Sequence, residues 1–235
     1  MRETLVFRKF AGIHCPGVRM PLPRKSIGFF VSAGLVALAA VADSSARYSI
    51  DLQKSKIEIQ VAREGFFKAF GHDHLVSAPQ FSGEIRMDRA KLEQSSVNLT
   101  IDAKSLTVVD PGESAKDRKE VQNTMLGEEV LDVARYPQIQ FSSSSVRVVS
   151  GKKDLYQLQV EGALTLHGAK KPVTLPVRLQ IGEDNTLSAY AEVSLLQTDF
   201  GISPIKVAGG TVRVKDKLKL AFHILASKAS SASTK

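Results

Sequence analysis

Gly71-His72-Asp73-His74 is the densest run of chemistry-bearing side chains in the sequence. Two histidines one residue apart on a strand project to the same face, so both imidazoles can ligate one Zn²⁺-like ion or donate to one polar ligand group. A metal would need a third ligand from His167, His223 or a carboxylate. A lone H-x-H is a weak metal signature, and the intervening Asp73 faces the other way. The expectation is therefore a polar knot at a strand end, with Asp73 or the imidazoles bonding backbone or orienting a ligand. No metal is favoured, and His72, His74 and His167 form the alternative ligand set. His167 itself, in Leu164-Thr-Leu-His-Gly168, reads as a satisfied strand-end histidine.

Around the histidines, Glu64-Gly-Phe-Phe-Lys-Ala-Phe70 and Phe81 supply aromatic surface. Phe66, Phe67, Phe70 and Phe81 are the candidates to line or gate an apolar cavity, with His72 and His74 orienting a head group at its edge. Phe141, Phe200 and Phe222 read as plain core. Other chemistry is missing. The sequence has no G-x-S-x-G, P-loop or H-E-x-x-H, and no strand–Gly-rich-loop–helix unit for a nucleotide. The single cysteine, Cys15, lies near the N-terminus, so the rest of the chain has no thiol, disulfide or thiolate metal site. These absences favour a binding protein over an enzyme, with no cofactor required.

The elements that must position these residues are strands. Ile57, Ile59 and Val61 alternate with polar neighbours, as do Val97, Leu99, Ile101 and Ala103. The pattern runs longest from Tyr156 to Leu166, resumes from Val173 to Ile181, and returns in Leu187–Leu195 and Leu218–Ile224. A period of two with short turns between runs describes antiparallel strands with one buried face. Roughly eight to ten such strands suffice to close a barrel or form a sandwich. The tips are expected at Lys152-Lys153 and at Gly168-Ala169-Lys170-Lys171, with a further turn at Lys215-Asp216-Lys217. Val121, Met125 and Leu126 instead follow helical spacing, and Ser114-x-x-Asp117 can cap the start of one helix or lid across a barrel mouth. Residues 64–78 are expected to hold a short helical turn, and 227–235 a polar, disordered tail.

Charge and length complete the reading. The 235 residues carry a formal net charge of +8 and are 43% hydrophobic, which excludes collagen, coiled coil and wholesale disorder. Arg24 and Lys25 precede an uncharged run, Ser26 to Ala42, that ends in Ala40-Val41-Ala42. A basic region, a short apolar core and an A-x-A exit describe a cleaved signal peptide over residues 1–42, hence a periplasmic or secreted protein. Met20 would begin a signal of ordinary length, so residues 1–19 read as a mis-called start. Without 1–42 the chain holds 26 basic and 23 acidic residues, a net of +3. Most of the basicity is therefore targeting, and a nucleic-acid partner is excluded. Transient contact with the membrane or a membrane redox protein, and self-association, remain compatible with the sequence.

Six segments in order carry a resemblance. They are Tyr48-Ser-Ile-Asp51, Phe81-Ser-Gly-Glu-Ile85, Ser105-Leu-Thr107, Leu131-Asp-Val-Ala-Arg-Tyr-Pro-Gln-Ile-Gln-Phe141, Val160 to Val173, and Thr198-Asp-Phe-Gly-Ile202. With them the chain resembles the YceI-like family of periplasmic proteins from about Tyr48 to Ala226, so residues 43–226 are expected to be one domain. The resemblance implies a single antiparallel, lipocalin-like eight-stranded barrel whose apolar interior holds an isoprenoid lipid or quinone, for transport, storage or sequestration. The rival is a metal-dependent or enzymatic site built on His72 and His74 of the same barrel. The Gly71–His74 run, and Glu129-Val-Leu-Asp132 where the family usually has an aromatic pair before the Asp, depart from the common pattern. Both departures fall in segments that could border the barrel mouth or lumen, so the ligand expected here is not tied to the family's typical one. The signal-peptide reading predicts that N-terminal sequencing of the exported protein starts near Asp43 or Arg47; an intact Met1 would overturn it.

Overall fold

The computed structural model describes residues 45–64, 73–207 and 212–229. Phe66, Phe67, Phe70, His72, the expected signal peptide of residues 1–42, and residues 230–235 lie outside the described residues. Among the described residues no helix is long and apolar enough to cross a membrane.

The period-two runs form one antiparallel sheet that closes on itself. In chain order the strands are β1 (Ala46–Ile50), β2 (Lys56–Glu64), β3 (His74–Ser77), β4 (Phe81–Met87), β5 (Ser96–Asp102) and β6 (Thr107–Val108). After helix α1 (Ala115–Leu126) come β7 (Gln138–Lys152), β8 (Leu155–Leu166), β9 (Ala169–Ile181), β10 (Leu187–Leu196), β11 (Lys206–Val207) and β12 (Val212–Lys228). β12 pairs with β10 along one edge. Along the other it pairs with β2 through Arg213–His223 and with β1 through Ala226–Lys228. β1 and β2 are thus two halves of one wall strand. The same holds for β4 and β3, which pair with β1 and β2, and for β5 and β6, which pair with β4 and β3. Counting these halves together gives the eight-stranded, lipocalin-like barrel with a single helix.

The breaks in the split strands are satisfied locally, as buried backbone requires. Between β1 and β2, Asp51 Oδ1 accepts the amides of Gln53 and Lys54. Ser55 Oγ both accepts from Leu225 N–H (2.9 Å) and donates to Leu225 C=O (3.2 Å), standing in for a strand residue. The hairpins turn more tightly than the sequence suggests. β7 and β8 are joined by Lys153-Asp154 (φ 45° and 64°), and β8 and β9 by His167-Gly168 (φ 50° and 74°). Two successive positive φ values make the twist-matched turn that closes a hairpin in two residues. Lys170 and Lys171 therefore lie within β9, exposed and paired with Thr165 and Leu164, not at a tip. Lys215-Asp216-Lys217 is likewise no turn: β12 runs through it, with a register shift against β2 between Val214 and Leu218. Ser227 and Lys228 pair with Ser49 and Tyr48, so ordered strand replaces the start of the expected tail. No helical turn occupies the described part of 64–78; residues 74–77 are β3.

Buried hydrophobic residues form two packed groups, one around Met87, Leu92, Leu158 and Leu187, the other around Ile57, Leu106, Phe200 and Ile202. Ile50, Leu99 and Leu164 pack against both groups and join them. Arg89, donating to Asn185 Oδ1 (2.6 Å) and Asp154 Oδ1 (2.8 Å), ties two turns together near Leu92. In the wall, β8 passes beneath the Phe141 ring at Gly162. A Cβ there would stand 2.7 Å from that ring and 2.5 Å from the Ser142 carbonyl oxygen. Gly162→Val should therefore destabilise the barrel by about 1–3 kcal/mol, the usual cost of overpacking. Urea denaturation checks this, with a lowered midpoint expected.

Candidate functional site

The inward side chains do not meet at the barrel axis. They line a cavity of about 640 Å³, within the range of about 300–1,000 Å³ typical of small-molecule sites. Its wall is aliphatic on every side: Leu158 and Val160 from β8, Leu175 and Val177 from β9, Ala191 and Val193 from β10, Leu220 and Ile224 from β12. These are the alternating positions expected from sequence. The aromatic wall differs from expectation. Phe141 and Phe222 border the cavity. Phe81, 6% exposed and packed with Ile101, Leu106 and Val108, is not among the lining residues. Its place at the start of β4, where the split wall strand breaks, sets it in the core instead.

The charged lining residues are Arg63, His74, Glu113, Asp117, Glu120 and Arg213, and all lie toward one end. His74 pairs with Val61 in the β2–β3 ladder, and Arg213 with Glu64 beside it. The three acids belong to α1 and the residues just before it. That helix is placed by polar contacts more than by burial, for none of its residues is fully buried. Ser114 Oγ accepts from Asp117 N–H (3.1 Å) and donates to Asp117 Oδ2 (2.7 Å), the cap expected from Ser114-x-x-Asp117. Gln122 then docks the helix on β6. Its Nε2 donates to Leu106 C=O (2.6 Å) and its Oε1 accepts from Val108 N–H (2.8 Å), occupying the edge that another strand would have taken. Val121, Thr124 and Met125 consequently face the cavity end.

His74 opens β3. Its Nδ1 lies 2.6 Å from Asp110 Oδ2, and Asp110 Oδ1 accepts the Leu75 amide at 2.5 Å. A carboxylate with two acceptor oxygens so placed makes Nδ1 the donor. Asp110 is 3% exposed, and Arg118 Nη1 donates to its carbonyl at 3.3 Å. Asp73, exposed, accepts the Arg63 amide at 3.1 Å, which is the backbone-bonding role expected for this run. One ligand atom each of His74, Asp110 and Glu113 lies within 4.8 Å of the others. The grouping does not include His167. That residue sits in the β8–β9 turn, with Nδ1 3.3 Å from Phe200 C=O and its ring edge-on to Tyr136 at 4.7 Å. Its left-handed backbone makes it a turn residue, and it is not grouped with His74, while His72, the third member of the alternative set, lies outside the described residues.

With this architecture in view, the family model for the YceI-like domain matches residues 48–226. The chain belongs to the YceI-like family. The protein YceI of Salmonella agona is 30% identical over 161 residues, covering 67% of this chain and 73% of that protein. YceI of Salmonella arizonae is 28% identical over 160 residues with the same coverage. Among solved structures, BcnA of Burkholderia cenocepacia superposes with a TM-score of 0.60 at 26% identity, over 76% of this chain and 99% of BcnA. A polyisoprenoid binding domain of Saccharophagus degradans, implicated in plant cell wall breakdown, shares the fold with a TM-score of 0.53 at 13% identity, over 77% of this chain and 98% of that domain.

Sequence reasoning missed Asp110 and Glu113 as partners of His74. Neither lies on a periodic run, and only the helix cap at Ser114, four residues after Asp110, marks their neighbourhood. Asp110→Ala would leave the His74 ring and the Leu75 amide unsatisfied, so it should cost about 1–3 kcal/mol. Thermal or urea unfolding reads this out, and His74→Phe, which removes one of the two contacts, should cost less.

Proposed function

We propose that this YceI-like protein is an exported carrier that holds an isoprenoid chain, of quinone or polyprenol type, inside its barrel for transport, storage or sequestration. The observation that carries this is the continuous aliphatic cavity, with charged groups confined to the helix end. A hydrocarbon chain entering it gains about 25 cal/mol for each Å² withdrawn from water, without needing hydrogen bonds along its length. The polar end would meet the head group, with His74 the described residue placed to orient it and His72 its neighbour in sequence. The Saccharophagus domain, a polyisoprenoid binder of the same fold, supports the chemical class. Nothing in the reading requires a catalytic group or a cofactor. Loading and release call for passing contact with a membrane or a membrane redox protein, and the leader over residues 1–42 would deliver the chain to the periplasm or beyond.

Organic extraction of gently purified protein, followed by mass spectrometry, should recover an isoprenoid lipid. An empty barrel that also fails to bind ubiquinone and polyprenols would overturn the proposal. The chain contains no tryptophan, so Leu175→Trp both fills the cavity and reports on it. It should weaken lipid binding about tenfold, equivalent to about 1.4 kcal/mol. Its emission should shift when lipid is added.

A further inference from the structure

We infer that His74, Asp110 and Glu113 form a divalent-cation site of the Zn²⁺ class at the helix end of the barrel, with a ligand set distinct from any pairing of the histidines alone. The three residues come from three places: the first residue of β3, the segment after β6, and the residue before the Ser114 cap. Their candidate ligand atoms already lie within 4.8 Å of one another. Donors around a tetrahedral Zn²⁺, bound at about 2.0–2.2 Å, stand about 3.4 Å apart, so closure needs a movement of about 1 Å. His74 Nδ1 and Asp110 Oδ2, now 2.6 Å apart and sharing a proton, must part by roughly 1 Å or slightly less, and the proton must leave before both can ligate one ion.

The chemistry fits a borderline cation. One imidazole nitrogen with two carboxylates is a mixed nitrogen–oxygen set, and outside the leader no thiolate exists to compete. Asp110 is held from behind by the Leu75 amide, which fixes the carboxylate as an outer-shell partner fixes a metal ligand. Asp117 and Glu120 line the same end, giving four carboxylates against the guanidinium groups of Arg63, Arg118 and Arg213, the last of which pairs with Glu64 at 2.6 Å. That balance attracts a cation and disfavours a phosphate. His74 and Glu113 both border the cavity, so the remaining coordination positions open to it. The site does not require the lipid reading: a cation can bind here whether or not the barrel is filled.

The test uses untagged mature protein, treated with a chelator and titrated with ZnCl₂ by calorimetry and with CoCl₂ by visible absorption. One equivalent should bind with a dissociation constant of about 10 µM or tighter, which corresponds to about −7 kcal/mol. Glu113→Gln and His74→Ala should each weaken it at least about tenfold, and Asp110→Asn about 10–100-fold, as supporting carboxylates do. Absence of saturable binding would overturn the site. Unchanged affinity in Glu113→Gln would give the metal to another ligand set and overturn it equally. Glu113→Gln keeps the shape of an intermediate-exposure loop residue, so an unaltered melting curve separates ligand loss from unfolding. Lipid extraction on the same variants tells this site apart from the carrier reading. Lipid retained with metal lost in the variants supports two separable sites, and metal bound by wild-type protein that neither yields nor takes up lipid fails the carrier reading alone.

Discussion

β12 hydrogen-bonds along both edges at once, to β10 on one side and to β1 and β2 on the other, and this double pairing turns a meander into a closed wall. Closure pairs the wall strands with one another, and at β6, which pairs only with β3, Gln122 of α1 takes the place of the missing neighbour. It also fixes which residues face inward, since a slip of one position would exchange the two faces of a strand. Seventeen residues in one strand allow two shorter partners to share an edge, with Ser55 bridging the gap between them. The cavity follows from the same constraint. Eight strands enclose an interior that aliphatic side chains line but do not fill, leaving about 640 Å³.

Much of that wall was legible because alternation is a local signal. Leu158, Val160, Leu175, Val177 and Leu220 are read as inward from their own neighbours, and the barrel puts them there. The turns were less legible. His167 and the Lys153-Asp154 pair adopt positive φ, a conformation their residue types do not announce as glycine would. The lysines after Gly168 were consequently assigned to a tip that had already closed. Lys215-Asp216-Lys217 misleads for a different reason. Its polarity looks like a turn, yet Asp216 is held in strand by accepting from Thr198 N–H (2.9 Å) and Oγ1 (2.7 Å). Those bonds draw the Asp216 carboxyl below its ordinary range.

The charged end was the least legible part, because its members are far apart in the chain. Asp110 lies 36 residues from His74, and nothing in Val108-Val109-Asp110-Pro111-Gly112 marks the aspartate as buried. Phe81 shows the opposite failure. An aromatic residue near a histidine run looks like a ligand contact, but strand register places it in packed core. Proximity in sequence is a poor guide to the site wherever the chain crosses from one half-strand to the next.

α1 joins the apolar and polar halves of the molecule. It is anchored by an N-cap, by Gln122 against the β6 edge, and by Arg118 on the Asp110 carbonyl, and it buries no residue fully. A twelve-residue helix is marginal on its own, and this one rests on those polar contacts together with Val121, Met125 and Leu126, which are half-buried against the core around Ile57 and Phe200. Such elements open locally at lower free energy than the strands around them. Val121 and Met125 set this helix beside the cavity, at its charged end. A cation held by Glu113 and Asp110, on either side of the turn that leads into the helix, would tether that same element. The barrel supplies an apolar interior, and the few polar contacts of α1 hold the helix beside one end of it.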